Sequence, residues 1–145
     1  MKGEQIKIKN GESILFIGDS ITDCERDYPV GMSIGLGEGY VAFVDSLLAT
    51  LYPEDSIRVL NTGINGNRIV DLETRWQTDV LDLSPDWLSV MIGINDVWWQ
   101  FRDQLDPDQV KIEQYETIYR KLLTQTRPNL KGLILMSPYL IEPRI

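Results

Sequence analysis

The apolar residues of this chain fall into two spacings that alternate along its length. Ser13 to Gly18 (Ser-Ile-Leu-Phe-Ile-Gly) is a short continuous apolar run closed by Gly-Asp-Ser, which predicts a buried strand followed by a turn. Tyr40, Phe43, Val44, Leu47, Leu48 and Leu51 recur at helical spacing and predict a helix from Gly39 to Tyr52, stopped by Pro53. Ile57 to Asn61 reads as a second strand. Ile69, Leu72, Trp76, Val80 and Leu83 form another helical stripe that ends before Pro85, and Trp87 to Ile92 reads as a third strand. Asp106-Pro107-Asp108-Gln109 has the form of a helix start, with Asp106 as cap and Pro107 in the first turn. Tyr115, Ile118, Tyr119 and Leu122 carry that helix towards Arg127, and Gly132 to Met136 is a fourth strand.

Apolar strands separated by amphipathic helices predict an α/β protein with a parallel sheet covered on both faces. Right-handed crossovers leave few topologies, and the expectation is a three-layer α/β/α sandwich with a flavodoxin-like sheet, forming one domain over residues 1–145. Tyr28 to Glu38 is glycine-rich and reads as an irregular loop over one end of the sheet.

Charge and composition narrow the function. Fourteen Lys and Arg against 22 Asp and Glu give a net charge of -8, which disfavours nucleic acid and anionic membrane as partners. Met1-Lys2-Gly3-Glu4-Gln5-Ile6-Lys7-Ile8-Lys9 alternates charge with Ile and has no apolar leader, no run is long enough for a membrane span, and Cys24 is the sole cysteine; a cytoplasmic protein is expected. The chain contains no histidine, so it can supply neither a His metal site nor an imidazole base.

Ligands of open parallel sheets bind beyond the carboxyl ends of the strands. The four strand ends here carry Gly18-Asp19-Ser20, Asn61-Thr62-Gly63-Ile64-Asn65-Gly66-Asn67, Gly93-Ile94-Asn95-Asp96 and Ser137-Pro138-Tyr139. Glycine admits close backbone approach, while Ser and Asn supply a nucleophile or donors. Turn formation alone accounts for any one of these segments. Three successive strand ends of this kind favour a site.

Gly18-Asp19-Ser20-Ile21-Thr22, Asn61 to Asn67 and Gly93-Ile94-Asn95-Asp96 resemble, in order, three blocks of the SGNH (GDSL) hydrolases. Gly39-Tyr40-Val41 and Ile94-Asn95-Asp96-Val97-Trp98 look most like the bacterial acetyl-xylan esterase branch. The resemblance implies an esterase that removes acetyl groups from carbohydrate with neither cofactor nor metal. It implies Ser20 as nucleophile, with the Ser20 N–H, Gly66 N–H and Asn95 amide holding the oxyanion. The family's Asp-x-x-His block, which follows a fifth strand, has no counterpart in the sequence; the last strand and C-terminal helix of the family are expected to be missing. The expectations are therefore an esterase by descent that is inactive on its own, and a homo-oligomer in which another copy covers the sheet edge left at Gly132 to Met136. The alternative is a non-catalytic remnant that binds acyl or saccharide ligands or serves in assembly.

Other features read more plainly. Asp19 is expected to be a turn or cap residue, Cys24 an inert thiol, and Tyr115 and Tyr119 core. Asn65, Asn67 and Asp96 are candidates to support the site. Trp98 and Trp99 either stack on a sugar or pack under the glycine-rich loop. Gly35-Leu36-Gly37-Glu38-Gly39 follows no strand and lacks nucleotide-loop spacing.

Overall fold

The computed structural model describes residues 6–102 and 108–138. At its centre lies β1 (Ser13–Gly18), whose six residues are all buried, as expected for a strand with a helical layer on each face. A short helix α1 (Ser20–Asp23) follows, then a two-residue strand β2 (Gly31–Met32), α2 (Tyr40–Leu51) and β3 (Arg58–Asn61). Next come α3 (Ile69–Trp76), which runs into a π turn at Gln77–Leu81, β4 (Trp87–Met91), α4 (Ile94–Arg102), α5 (Ile112–Thr126) and β5 (Gly132–Leu135).

The sheet order is β2-β3-β1-β4-β5. The four longer strands are parallel, and β2 pairs antiparallel to β3 through Gly31 and Met32. The three-layer α/β/α arrangement is thus present, but the sheet is mixed rather than wholly parallel, and part of the segment read as loop contributes its fifth strand. Alternation along β1 assigns the faces. Leu15 and Ile17 pack with Ile69, Leu72, Trp76, Ile118 and Leu122 of α3 and α5, whereas Ile14 and Phe16 pack with Val41 of α2. Full burial of one such aliphatic side chain contributes about 1.5–3 kcal/mol, so these two layers hold the sheet.

The helix ends follow from local chemistry. α2 stops at Tyr52, because the residue before Pro53 is pushed out of helical geometry. In α3 the Asp71 carboxylate accepts the Arg68 N–H at 2.7 Å, while the Asp71 N–H donates to the Arg68 carbonyl at 3.1 Å. α5 is anchored where the buried Trp76 Nε1 donates to Thr126 Oγ1 at 2.8 Å. It begins at Ile112, so the expected start at Asp106 and Pro107 falls outside the described residues, as does Tyr139. A further difference is α4: soon after β4 the chain enters a helix that was not expected, although Ile94, Val97, Trp98 and Phe101 recur at helical spacing.

Candidate functional site

Strand register brings the carboxyl ends of β1, β3 and β4 to one rim. Gly18 pairs with Met91 of β4, and beyond the paired stretch of β3 the Ile64 N–H donates to the Gly18 carbonyl at 3.1 Å. Ser20, Gly66 and Asn95 each lie just past one of these ends. Ser20 is the exposed first residue of α1, with Asp19 as the cap: the Asp19 carboxylate accepts the Ile21 N–H at 3.0 Å, and burial pushes its pKa up. Asp19 is therefore spent on shaping the turn, as expected.

Gly66 occupies an exposed turn in which the Asn67 N–H donates to the Ile64 carbonyl at 3.2 Å. Its φ of +79° lies where a side chain is strained, and a Cβ there would meet nothing within 4 Å. Gly63, at the start of the same loop, is different: a Cβ there would come within 2.4 Å of the Asp23 nitrogen. The loop lies directly against α1.

Two hydrogen bonds tether this loop to its neighbours. The Asn65 N–H donates to Asp23 Oδ2 at 2.8 Å, joining the loop to the helix that carries Ser20. Asn95 Nδ2 donates to the Asn67 carbonyl at 2.9 Å, joining it to α4. An amide nitrogen has two donors, so among the described residues the Asn95 side chain keeps one more N–H to offer. Asn65 and Asn67, the candidate supporting residues, are thus both engaged through their backbones.

Charged residues brace the rim from below. Arg75 on α3 donates to the Gly18 carbonyl at 3.1 Å, the Thr62 carbonyl at 2.6 Å and Asn67 Oδ1 at 2.7 Å, and pairs with Asp79 at 2.6 Å. One guanidinium so ties β1, β3 and the Gly66 loop together, using a fork of donors that lysine lacks. The sequence reading missed it. Its signal is an Arg and an Asp four residues apart on a helix, each next to a buried residue, Trp76 and Val80. Asp96 is 4% exposed and accepts the Ile69 N–H on both oxygens, at 3.1 and 3.2 Å, so α4 caps α3. Burial pushes its pKa up to about 6 against the pull of that N–H.

Beside Ser20 opens a cleft of about 440 Å³ whose walls also include Asp23, Cys24, Glu25, Arg26, Tyr28 and Asn65. Arg26 is buried, donates from Nε to the Gly63 carbonyl at 2.6 Å, and its guanidinium lies 4.0 Å from the centroid of the Tyr28 ring. Burial lowers the pKa of Arg26, and burial followed by the bond to Asp23 raises that of Tyr28. The segment from Asp23 to Tyr28, rather than Trp98 and Trp99, lines this cleft. Trp99 instead lies under the Arg68 guanidinium at 5.0 Å, and Trp98 is exposed. Tyr115 and Tyr119 pack edge to face on each other and against the core, with Tyr115 donating to the Ile92 carbonyl at 3.0 Å. Cys24 closes α1 in the left-handed region at φ 43°.

A layered α/β scaffold with a serine turn, a glycine loop and an asparagine side chain along one rim defines a class of hydrolase folds built on short strand-end motifs. The chain belongs to the GDSL-like lipase/acylhydrolase family, whose model matches residues 16–144. It is similar to an acetylxylan esterase of Geobacillus stearothermophilus, with 52% identity over 94% of this chain and 64% of that protein. The solved structure of that esterase superposes with a TM-score of 0.91 at 51% identity, over 94% of this chain and 64% of the other. Its structures include catalytic mutants in which a histidine, a serine or an aspartate is replaced by alanine. An α/β hydrolase from the metagenome of Lake Arreo, Spain, is 44% identical with a TM-score of 0.88, over 94% of this chain and 65% of the other. The chain therefore spans just under two thirds of the length of these relatives.

Proposed function

We propose that this chain is the nucleophile-bearing part of a carboxylic ester hydrolase that removes acetyl or other short acyl groups from carbohydrate. Ser20 Oγ attacks the ester carbonyl, and the oxyanion is held by the Ser20 N–H, the Gly66 N–H and the free Asn95 N–H. Each such donor is worth about 3 kcal/mol in the transition state. The sugar alcohol leaves, and water releases the acid from the acyl-serine. The observation that supports this reading most is the shared rim: Ser20, Gly66 and Asn95 follow three adjacent strands, and hydrogen bonds from Asn65 and Asn95 join their segments.

The proton on Ser20 Oγ needs a base, and these 145 residues contain no histidine. The base must come from outside them. By themselves they are expected to turn over esters on the order of a millionfold more slowly than a complete serine hydrolase. The test joins the C-terminal segment of the Geobacillus relative to this chain and measures aryl acetate hydrolysis. Turnover that falls at least about a thousandfold in Ser20→Ala is expected; equal rates with and without the Ser20 hydroxyl would reject the reading. Equal rates would favour the second reading, a non-catalytic acyl or saccharide binder, which the absence of an imidazole supports.

The net charge of -8 supports a neutral ester or oligosaccharide ligand rather than nucleic acid or membrane, and no described helix is long and apolar enough to cross a membrane. A second copy of the chain is proposed to cover β5, where Ile134 and Leu135 are exposed. A cytoplasmic location rests on the free thiol of Cys24.

A further inference from the structure

Building on the esterase reading, we propose that Tyr28 is a stacking platform for the sugar ring of the ester, set in the cleft beside Ser20. Tyr28 is 58% exposed, unlike the tyrosines of the core, yet both ends of the ring are restrained. Its hydroxyl donates to Asp23 Oδ2 at 2.7 Å, and the Arg26 guanidinium covers one face at 4.0 Å from the centroid. Arg26 is in turn fixed, because it is 4% exposed and donates to the Gly63, Asp27 and Pro29 carbonyls at 2.6, 2.9 and 2.8 Å. One face of the ring is covered by a pinned cation, more than half of the residue is exposed, and Tyr28 lines the same cleft as Ser20.

Such a surface suits a saccharide. A pyranose presents a face of C–H groups that packs on an aromatic ring, while its hydroxyls project sideways and need polar partners. Glu25 and Asn65 are exposed and line the same cleft. A volume of about 440 Å³ lies within the usual range for small-ligand sites. A rigid platform also orders little on binding, which lowers the entropic cost of the sugar contact. Asp23 carries the design one step further: the oxygen that anchors Tyr28 also accepts the Asn65 N–H at 2.8 Å, so platform and Gly66 loop share one anchor.

The experiment measures xylotetraose binding to the 145-residue chain by NMR titration and saturation transfer, with circular dichroism to verify the fold of each variant. The sugar C–H protons should take up saturation from aromatic resonances. Tyr28→Ala should weaken binding about tenfold, and Tyr28→Phe, which keeps the ring, should stay within about threefold of the unmodified chain. The proposal is overturned by absence of saturation in the unmodified chain, by unchanged binding in Tyr28→Ala, or by a loss in Tyr28→Phe as large as in Tyr28→Ala. Ser20-dependent hydrolysis of an aryl acetate, which has no sugar, is scored separately. An esterase without this platform and a saccharide binder without esterase chemistry therefore give different pairs of results.

Discussion

Asp96 holds two helices together at the cost of burying a carboxylate. Unfolded, the group titrates near 3.8; folded, burial moves it to about 6, so between these values the native state keeps a proton that the unfolded state has lost. Stability from this residue therefore falls as pH rises from about 4 to about 6 and is level above. Asp96→Asn keeps an oxygen for the Ile69 N–H without a charge to desolvate. It is expected to be more stable than the parent at pH 8, by up to about 3 kcal/mol more than at pH 4. Urea unfolding at both values checks this, and a difference independent of pH would exclude Asp96 ionisation as the cause. The sequence marks Asp96 as a candidate to support the site but not as the link between two helices. Its partner, a backbone N–H on another helix, leaves no trace in side-chain identity. Arg75 was hidden partly for the same reason, since two of its four acceptors are backbone carbonyls.

The loop at 63–67 shows how two glycines in one motif can be required for unrelated reasons. Gly63 has no room: a Cβ would strike the backbone of α1 at Asp23 and Thr22, which cannot rotate away. Gly66 has room and needs only its positive φ. Gly63→Ala is therefore expected to displace the loop and to cost well over the roughly 1 kcal/mol expected for Gly66→Ala. Thermal unfolding of the two variants gives the order; equal losses would contradict it. The elements that escaped the sequence reading are those whose signal is weakest. β2 is two residues long and exists by pairing with β3. In α4 the stripe of Ile94, Val97, Trp98 and Phe101 has helical spacing, but it spans only nine residues and Val97, Trp98 and Phe101 are exposed, so it buries no full face. β1, β3, β4, α3 and α5 were legible because each buries a run or stripe, whereas α2 and β5 formed as the spacing predicts although Phe43, Leu47 and Leu51 of one and Ile134 and Leu135 of the other are exposed.

The assembled sheet explains why the arrangement could be read at all. Parallel strands buried on both faces leave short apolar runs in the sequence, and right-handed crossovers then fix which ends meet at a rim. What could not be read was the tethering between segments, which depends on distances rather than on residue type. At the far side of the sheet, β5 pairs with β4 and exposes Leu135 and Ile134, at 50% and 40%. Apolar strands at an edge are prone to pair with another chain. The 145-residue chain is expected to elute as a dimer or larger species, and Leu135→Lys to shift it towards the monomer. A compact monomer that binds no hydrophobic dye would reject the proposed self-association.

Gripped by Asp23 on one side and Asn95 on the other, the short span around Gly66 has little slack left to surrender. Ordering a free backbone costs about 1–2 kcal/mol per residue, and here folding has already met that cost. If the esterase proposal holds, a visiting peptide that carries an imidazole would find this loop already ordered and would need only to fasten itself alongside, so a small complementing fragment is expected to restore ester hydrolysis.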